Sequence, residues 1–230
     1  MNIYNNTKET SQSIYDSYNM LMFSDDTRVF NKMTKKIEIY YQVKDLLGDI
    51  VEFGVFKGGG LAIFLKLRNM YEANSLTKII GFDYFNTNLL LNELSGLNHS
   101  MMTDVVNRVN KDDLSLISVN KRLSVFNNDN YMLIQGDAVS KSIEFNNENP
   151  GARIKLLYMD IDLGEPTYKI LITLWNKVVK GGIVVFDEYG YHMWDESDGV
   201  DKFLKTIEGQ YTFINTGISS PSAYIKKLVI

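Results

Sequence analysis

Short, unbroken apolar runs alternate along this chain with stretches whose apolar positions recur every three or four residues. Leu156, Leu157, Tyr158 and Met159 make one run, within a strand predicted over residues 154–159, and Val184, Val185 and Phe186 another. Runs this short and continuous read as strands buried on both faces, as in a parallel sheet. Further strands are predicted at residues 50–53, 78–83, 131–135, 211–214 and 223–229, seven strands in all. Helical spacing appears over residues 27–47, through Val29, Met33, Ile37, Tyr40, Val43 and Leu47, with Gly48 as a stop. A turn at Gly58, Gly59 and Gly60 opens a second helix carrying Leu61, Phe64, Leu65 and Leu67. Others are predicted near residues 101–109, through Ile170, Leu171, Leu174 and Val178 up to Gly181 and Gly182, and over 200–207. The rest of 86–130 is rich in Asn and Leu and follows neither period, with a loop at 127–130. Strand and helix in alternation predict a doubly wound α/β sheet that takes its ligands at the carboxyl ends of the strands. The reading divides the chain into an N-terminal helical extension, 1–47, and one globular domain, 48–230.

Composition narrows the classes of function. At 230 residues one sizeable core is expected, and a net charge of −4 gives no reason to expect nucleic acid or an anionic membrane as partner. The lysines and arginines are scattered. With no cysteine, a disulfide framework, thiolate metal ligands and thiol catalysis are excluded, and a cytoplasmic location is expected. No apolar run is long enough to span a bilayer, and the polar start over residues 1–6 does not read as a secretory signal.

The acids give the chemistry. Two buried runs end in Asp160 with Asp162 and in Asp187 with Glu188, so four carboxylates meet at one sheet edge. Like charges so placed disfavour one another's ionisation unless a cation, a proton or a positive ligand offsets them. Glu52, Gly54 and Gly58 follow the first strand, where a dinucleotide loop would read G-x-G-x-x-G, but Phe56 takes the second glycine position. Asp83 ends the second strand, where an acid can take the hydroxyls of a ribose, and Asp137 follows the third, within reach of a base edge. Acids at successive strand ends suit a cationic nucleoside without phosphates, of which S-adenosylmethionine is the common one. Plain structural readings compete with these roles. Asp162 with Glu165 ahead of Pro166 fits a capping box, Asp83 and Asp137 fit turn positions, and the three glycines fit a tight turn. His192 fits a loop position, and Tyr15, Tyr18, Met20, Met22 and Phe23 fit packing or a subunit interface.

Five stretches together resemble one family: residues 48–60 (GDIVEFGVFKGGG), 81–85 (GFDYF), 158–167 (YMDIDLGEPT), 181–190 (GGIVVFDEYG) and 199–203 (GVDKF). In this order they are similar to class I S-adenosylmethionine-dependent methyltransferases, and within them to the macrocin-type sugar O-methyltransferases. The resemblance implies a Rossmann-like, mostly parallel seven-stranded sheet with helices on both faces. It also implies S-adenosylmethionine held by Glu52, Gly54, Gly58, Asp83, Asp137 and Asp160, and a divalent cation, Mg²⁺, on Asp160, Asp187 and Glu188. Asp162 would be the general base. Apart from the resemblance, His192 and Trp194 follow the acid pair on a predicted loop and are candidates to line the acceptor pocket, His192 also as a second catalytic residue. The chain departs from the family with Glu188 where Asp or Asn is usual and Gly164 where an aromatic is usual, which implies an altered acceptor pocket, and with a longer stretch over 86–100. The expected activity is methylation of a hydroxyl on a sugar or nucleotide sugar, by a homo-oligomer. A methyltransferase of another small diol or catechol, a non-catalytic nucleoside-binding protein and an NAD-dependent oxidoreductase are the alternatives.

Overall fold

A computed structural model describes residues 12–229. Nine α-helices and seven strands follow one another among these residues: α1 (Gln12–Met22), α2 (Arg28–Val43), β1 (Asp49–Phe53), α3 (Gly59–Tyr71), β2 (Ile79–Asp83), α4 (Thr87–Asn92), α5 (Gly96–Asn107), α6 (Leu116–Leu123), β3 (Tyr131–Gln135), α7 (Ala138–Glu148), β4 (Ile154–Met159), α8 (Gly164–Leu174), β5 (Val178–Phe186), α9 (Glu196–Thr206), β6 (Tyr211–Asn215) and β7 (Ala223–Lys227). The polar start at 1–6 lies outside the described residues.

The strands form one sheet in the order β3-β2-β1-β4-β5-β7-β6. The first five run parallel, and β7 pairs antiparallel with both β5 and β6. Strand parity divides the core into two layers. Val51, Phe53, Leu157, Met159, Val184 and Phe186 face α7, α8 and α9, while Ile50, Leu156, Tyr158, Ile183 and Val185 face α2, α3 and α6. Both faces are therefore covered, which is why the strands read as continuous apolar runs rather than alternating ones. The order reverses between β1 and β4, and the ligand crevice of such a sheet opens at that switch point.

Ile39, Tyr40 and Val43 of α2 are buried in the same cluster as Ile50, so this helix packs as part of the sheet's own core. α1 differs, burying none of its residues; Tyr15, Tyr18 and Met20 stand exposed, as does Phe23 just beyond it. Among the described residues these four side chains are therefore not packed into the core, whereas Met22 is half-buried. Two further expectations are corrected. Gly181 and Gly182 do not close a helix but lie inside β5, where the pairing with β4 shifts register; a 3-10 turn at Trp175–Lys177 separates α8 from the strand. No capping box forms at Asp162 and Glu165, since α8 begins at Gly164 after Leu163 with no side-chain cap.

Gly164 also has a reason of its own. A Cβ there would fall on the carbonyl oxygen of Asp195, and one on Gly199 would fall on the carbonyl oxygen of Gly164. Glycine at both positions lets α8 and α9 touch backbone to backbone. Gly164 is buried between these two helices and does not line the cavity at the strand ends.

Candidate active site

The carboxyl ends of β1, β2, β3 and β4 open into a cavity of about 590 Å³. Its wall includes Gly54, Asp83, Asp137, Asp160 and Asp162, which brings five sequence-predicted site residues to one place. Leu90, Leu94, Met102, Val105 and Val106 of the α4–α5 region add an apolar side.

Gly54 has φ +87°, and a Cβ there would fall on the carbonyl oxygen of Asp160. Only glycine lets β1 and β4 close up at the switch point. The next turn is held by Asp83, whose Oδ2 accepts the backbone N–H of Val55 at 2.9 Å and of Phe56 at 3.0 Å while its Oδ1 accepts that of Phe85 at 3.0 Å. Burial pushes the Asp83 carboxyl above the ordinary carboxylate range, against these hydrogen bonds. Asp137 caps α7, its Oδ1 accepting from the Ser140 N–H at 2.8 Å and hydroxyl at 2.6 Å, and its Oδ2 accepts from the Tyr84 hydroxyl at 3.1 Å. Both acids thus shape loops as well as facing the cavity. Three non-glycine residues of the wall, Phe56 (φ +53°), Phe85 (φ +48°) and Asp162 (φ +64°), are held in left-handed backbone. Strain of this kind gathers at functional sites. Phe56 stands where a dinucleotide loop would have its second glycine, and it keeps the backbone a glycine would favour.

Asp160 and Asp187 lie on either side of a lysine absent from the sequence-based candidates. Lys32 of α2 donates from Nζ to Asp160 Oδ2 and to Asp187 Oδ2, both at 2.8 Å. Asp187 is fully enclosed, and accepts from the Tyr158 hydroxyl on Oδ1 and the Ser220 hydroxyl on Oδ2, each at 2.6 Å. Burial would raise its pKa, but Lys32 and these hydroxyls outweigh burial and hold it below the ordinary value. Asp160 goes the other way, pushed up to about 7 by burial and the charge on Asp187. Burial, then Asp160, Glu188 and Asp187, raise Asp162 well above the usual range. Glu188 is likewise pushed up to about 7, by burial and then Asp187. A fifth acid, Glu196, is buried on α9; its Oε2 accepts the N–H of Glu188 at 3.3 Å while Oε1 has no partner, and burial with the surrounding carboxylates raises its pKa strongly. The rim therefore carries more acid than Lys32 alone offsets.

Five expected site residues do not line the cavity in the structure: Asp187, enclosed behind it as just described, and Glu52, Gly58, His192 and Glu188; Trp194 lies outside the wall as well. Glu52 is turned away from it and buried, its Oε1 accepting from Lys36 Nζ at 2.5 Å, and that ammonium lies 3.4 Å from the centre of the Tyr158 ring. The expectation that Glu52 faces a ligand is corrected: strand parity points it with Ile50 toward α2. Gly58 caps the start of α3 in left-handed backbone, facing Val119. His192 is exposed against Tyr191 at 5.3 Å between ring centres, outside the cavity wall. Glu188 is half-buried beside Asp187 and also outside the wall. Lys32, Tyr158, Ser220 and Glu196 were all missed as site residues. An i, i+4 pair of lysines on one face of an amphipathic helix, Lys32 and Lys36, was the available signal for the first.

Among the described residues no helix is long and apolar enough to cross a membrane, and no group of three His, Cys, Asp or Glu side chains is disposed to hold a metal ion. The sequence matches the family model described as macrocin O-methyltransferase (TylF) over residues 22–208. No curated protein matches. Among solved structures the chain is similar to CalS11, a TDP-rhamnose 3'-O-methyltransferase of calicheamicin biosynthesis, at 25% identity and TM-score 0.66, covering 96% of this chain and 88% of that one. It shares its fold with the O-methyltransferase NovP, at 20% identity and TM-score 0.67, covering 87% of this chain and 80% of that one. It also shares its fold with an O-methyltransferase from Bacillus cereus solved with SAH, at 12% identity and TM-score 0.52, covering 95% and 88%.

Proposed function

From the premise that the chain belongs to the macrocin O-methyltransferase (TylF) family, we propose that this O-methyltransferase methylates a sugar hydroxyl, on a nucleotide-linked sugar or a glycan or natural-product precursor, with S-adenosylmethionine as donor. One observation carries the reading: Gly54, Asp83, Asp137, Asp160 and Asp162 converge on a single cavity. CalS11, which acts on a TDP-linked sugar, supports the substrate class.

The cavity fits the donor. Its volume and its acids suit an adenosyl group bearing a positive sulfonium, whose methyl is already electrophilic. Asp83 keeps lone pairs beyond its three backbone partners for ribose hydroxyls, and Asp137 stands at the next strand end for the base edge. The apolar side chains of α4 and α5 exclude water there. Asp162, a residue of the cavity wall held in left-handed backbone, takes the proton from the acceptor hydroxyl. Positioning the hydroxyl in line with the methyl, together with proton removal, is the main demand of such a reaction.

As arranged, the acids do not fit a divalent cation. The space between Asp160 Oδ2 and Asp187 Oδ2 is taken by the Lys32 ammonium, and Mg²⁺ would need oxygens at about 2.0–2.1 Å in the same place.

Calorimetry with S-adenosylhomocysteine and a methyl-transfer assay over a panel of TDP-sugars, with catechol as control, test the reading. Tight binding and turnover of a sugar are expected. Failure to bind S-adenosylhomocysteine, or turnover of catechol alone, would overturn it.

A further inference from the structure

The seat to which the family resemblance assigns a divalent ion is held by a side chain of the protein itself. Lys32 reaches it from α2, and Nζ lies 2.8 Å from one oxygen of Asp160 and 2.8 Å from one oxygen of Asp187. Its position is not that of a stray surface lysine. One turn along the same helix, Lys36 is buried against Glu52 and the face of the Tyr158 ring, while Ile39, Tyr40 and Val43 anchor the helix in the core. Tyr158 in turn donates to the second oxygen of Asp187, and Ser220 donates to the oxygen that Lys32 uses. The Asp187 carboxylate thus has a donor on each oxygen and two on one of them, and it cannot swing toward a new partner without breaking these bonds. A metal ion and an ammonium cannot share one seat, because two cations that close repel strongly even in a partly screened site.

We propose that Lys32 is the resident cation of the acid rim. It keeps Asp160 and Asp187 oriented and partly neutralised without a metal, and it excludes a divalent ion from between them. Lys32 is a positioning residue in this role. Only the identification of the seat rests on the methyltransferase reading.

Metal binding tests this without turnover. Mn²⁺ is titrated by calorimetry, and by its electron paramagnetic resonance signal, into the full chain and into the Lys32→Met and Lys32→Arg variants. Lys32→Met is expected to bind Mn²⁺ about tenfold or more tightly than the unaltered protein, a lower bound for removing a unit charge at that range, and Lys32→Arg no better than it. A gain in Lys32→Met below about tenfold overturns the proposal, as does a gain of that size in Lys32→Arg. Circular dichroism monitors folding; should Lys32→Met not fold, Lys32→Gln carries the same comparison. Adding Asp187→Asn to Lys32→Met should abolish the gained binding, and a gain that survives it would place the metal elsewhere and overturn the assignment. S-adenosylhomocysteine is titrated separately into the same samples, so that failure of the methyltransferase reading shows as lost nucleoside binding whatever the Mn²⁺ result.

Discussion

At the scale of single residues, the acids divide by what neutralises them. Asp187 has Lys32 and two hydroxyls, whereas Asp162 has burial and like charges around it and is held above the ordinary carboxylate range. A base works deprotonated. Because the folded-state pKa is raised, proton uptake begins at a higher pH than for an exposed aspartate, and kcat/KM should fall as pH drops through that raised value, with an apparent pKa above the usual ~3.9. An acid limb at or below that value would contradict the assignment to Asp162. Asp162→Asn should lower kcat by about 10²–10⁴-fold while leaving S-adenosylhomocysteine affinity within a few fold. Asp83→Asn should weaken S-adenosylhomocysteine binding by about tenfold or more in calorimetry, since a charged acceptor for the ribose is lost and an amide cannot replace all its lone pairs. Several of these residues were legible because a continuous apolar run that ends in an acid marks a buried strand opening at its carboxyl end. Glu52 misled for the same reason. An acid ending a strand reads alike whether it faces the crevice or the helix behind the sheet, and only pairing with Lys36 tells which. Lys32 was hidden by distance, since its partners lie 128 and 155 residues away.

At the scale of elements, strands fared better than helices. Buried parallel strands announce themselves by length and apolar continuity, and β3 and β4 fell at their expected bounds. The Asn-rich region hid α4 and α6, whose polar faces dilute the helical period. Gly181 and Gly182 read as a helix stop because glycine serves both there and at a strand irregularity. Two element contacts carry measurable consequences. Gly164→Phe forces α8 off α9 and should cost about 1–3 kcal/mol, a fall of roughly 2–12 °C in Tm by calorimetry. Lys36→Met strands the buried Glu52 carboxylate between α2 and α3, and a loss of about 3–5 kcal/mol in denaturant unfolding is expected; a K36M/E52L double variant should recover most of it. If the single variant unfolds like the parent, the pair does not fasten α2.

At the scale of the whole molecule, strand–helix alternation made the doubly wound sheet legible, while the antiparallel β6–β7 pair at one edge is set by tertiary pairing that no local pattern encodes. The cavity draws its wall from both halves of the sheet, so a ligand there should stabilise the molecule as a unit. At a hundredfold excess over its Kd, S-adenosylhomocysteine should add about 2.7 kcal/mol and raise Tm by roughly 5–10 °C. The tether from α2 to the acid rim has a further consequence, in the order of assembly at the ribosome. The helix that supplies Lys32 is made early, yet Asp187 is synthesised 155 residues later. At about 5–20 residues per second that is a wait of roughly 8–30 s, through which the nascent amphipathic segment must keep its oily stripe from other partners. A stalled chain ending before residue 187 should therefore leave this segment open to protease and to holdase chaperones, and release of the finished polypeptide should close it.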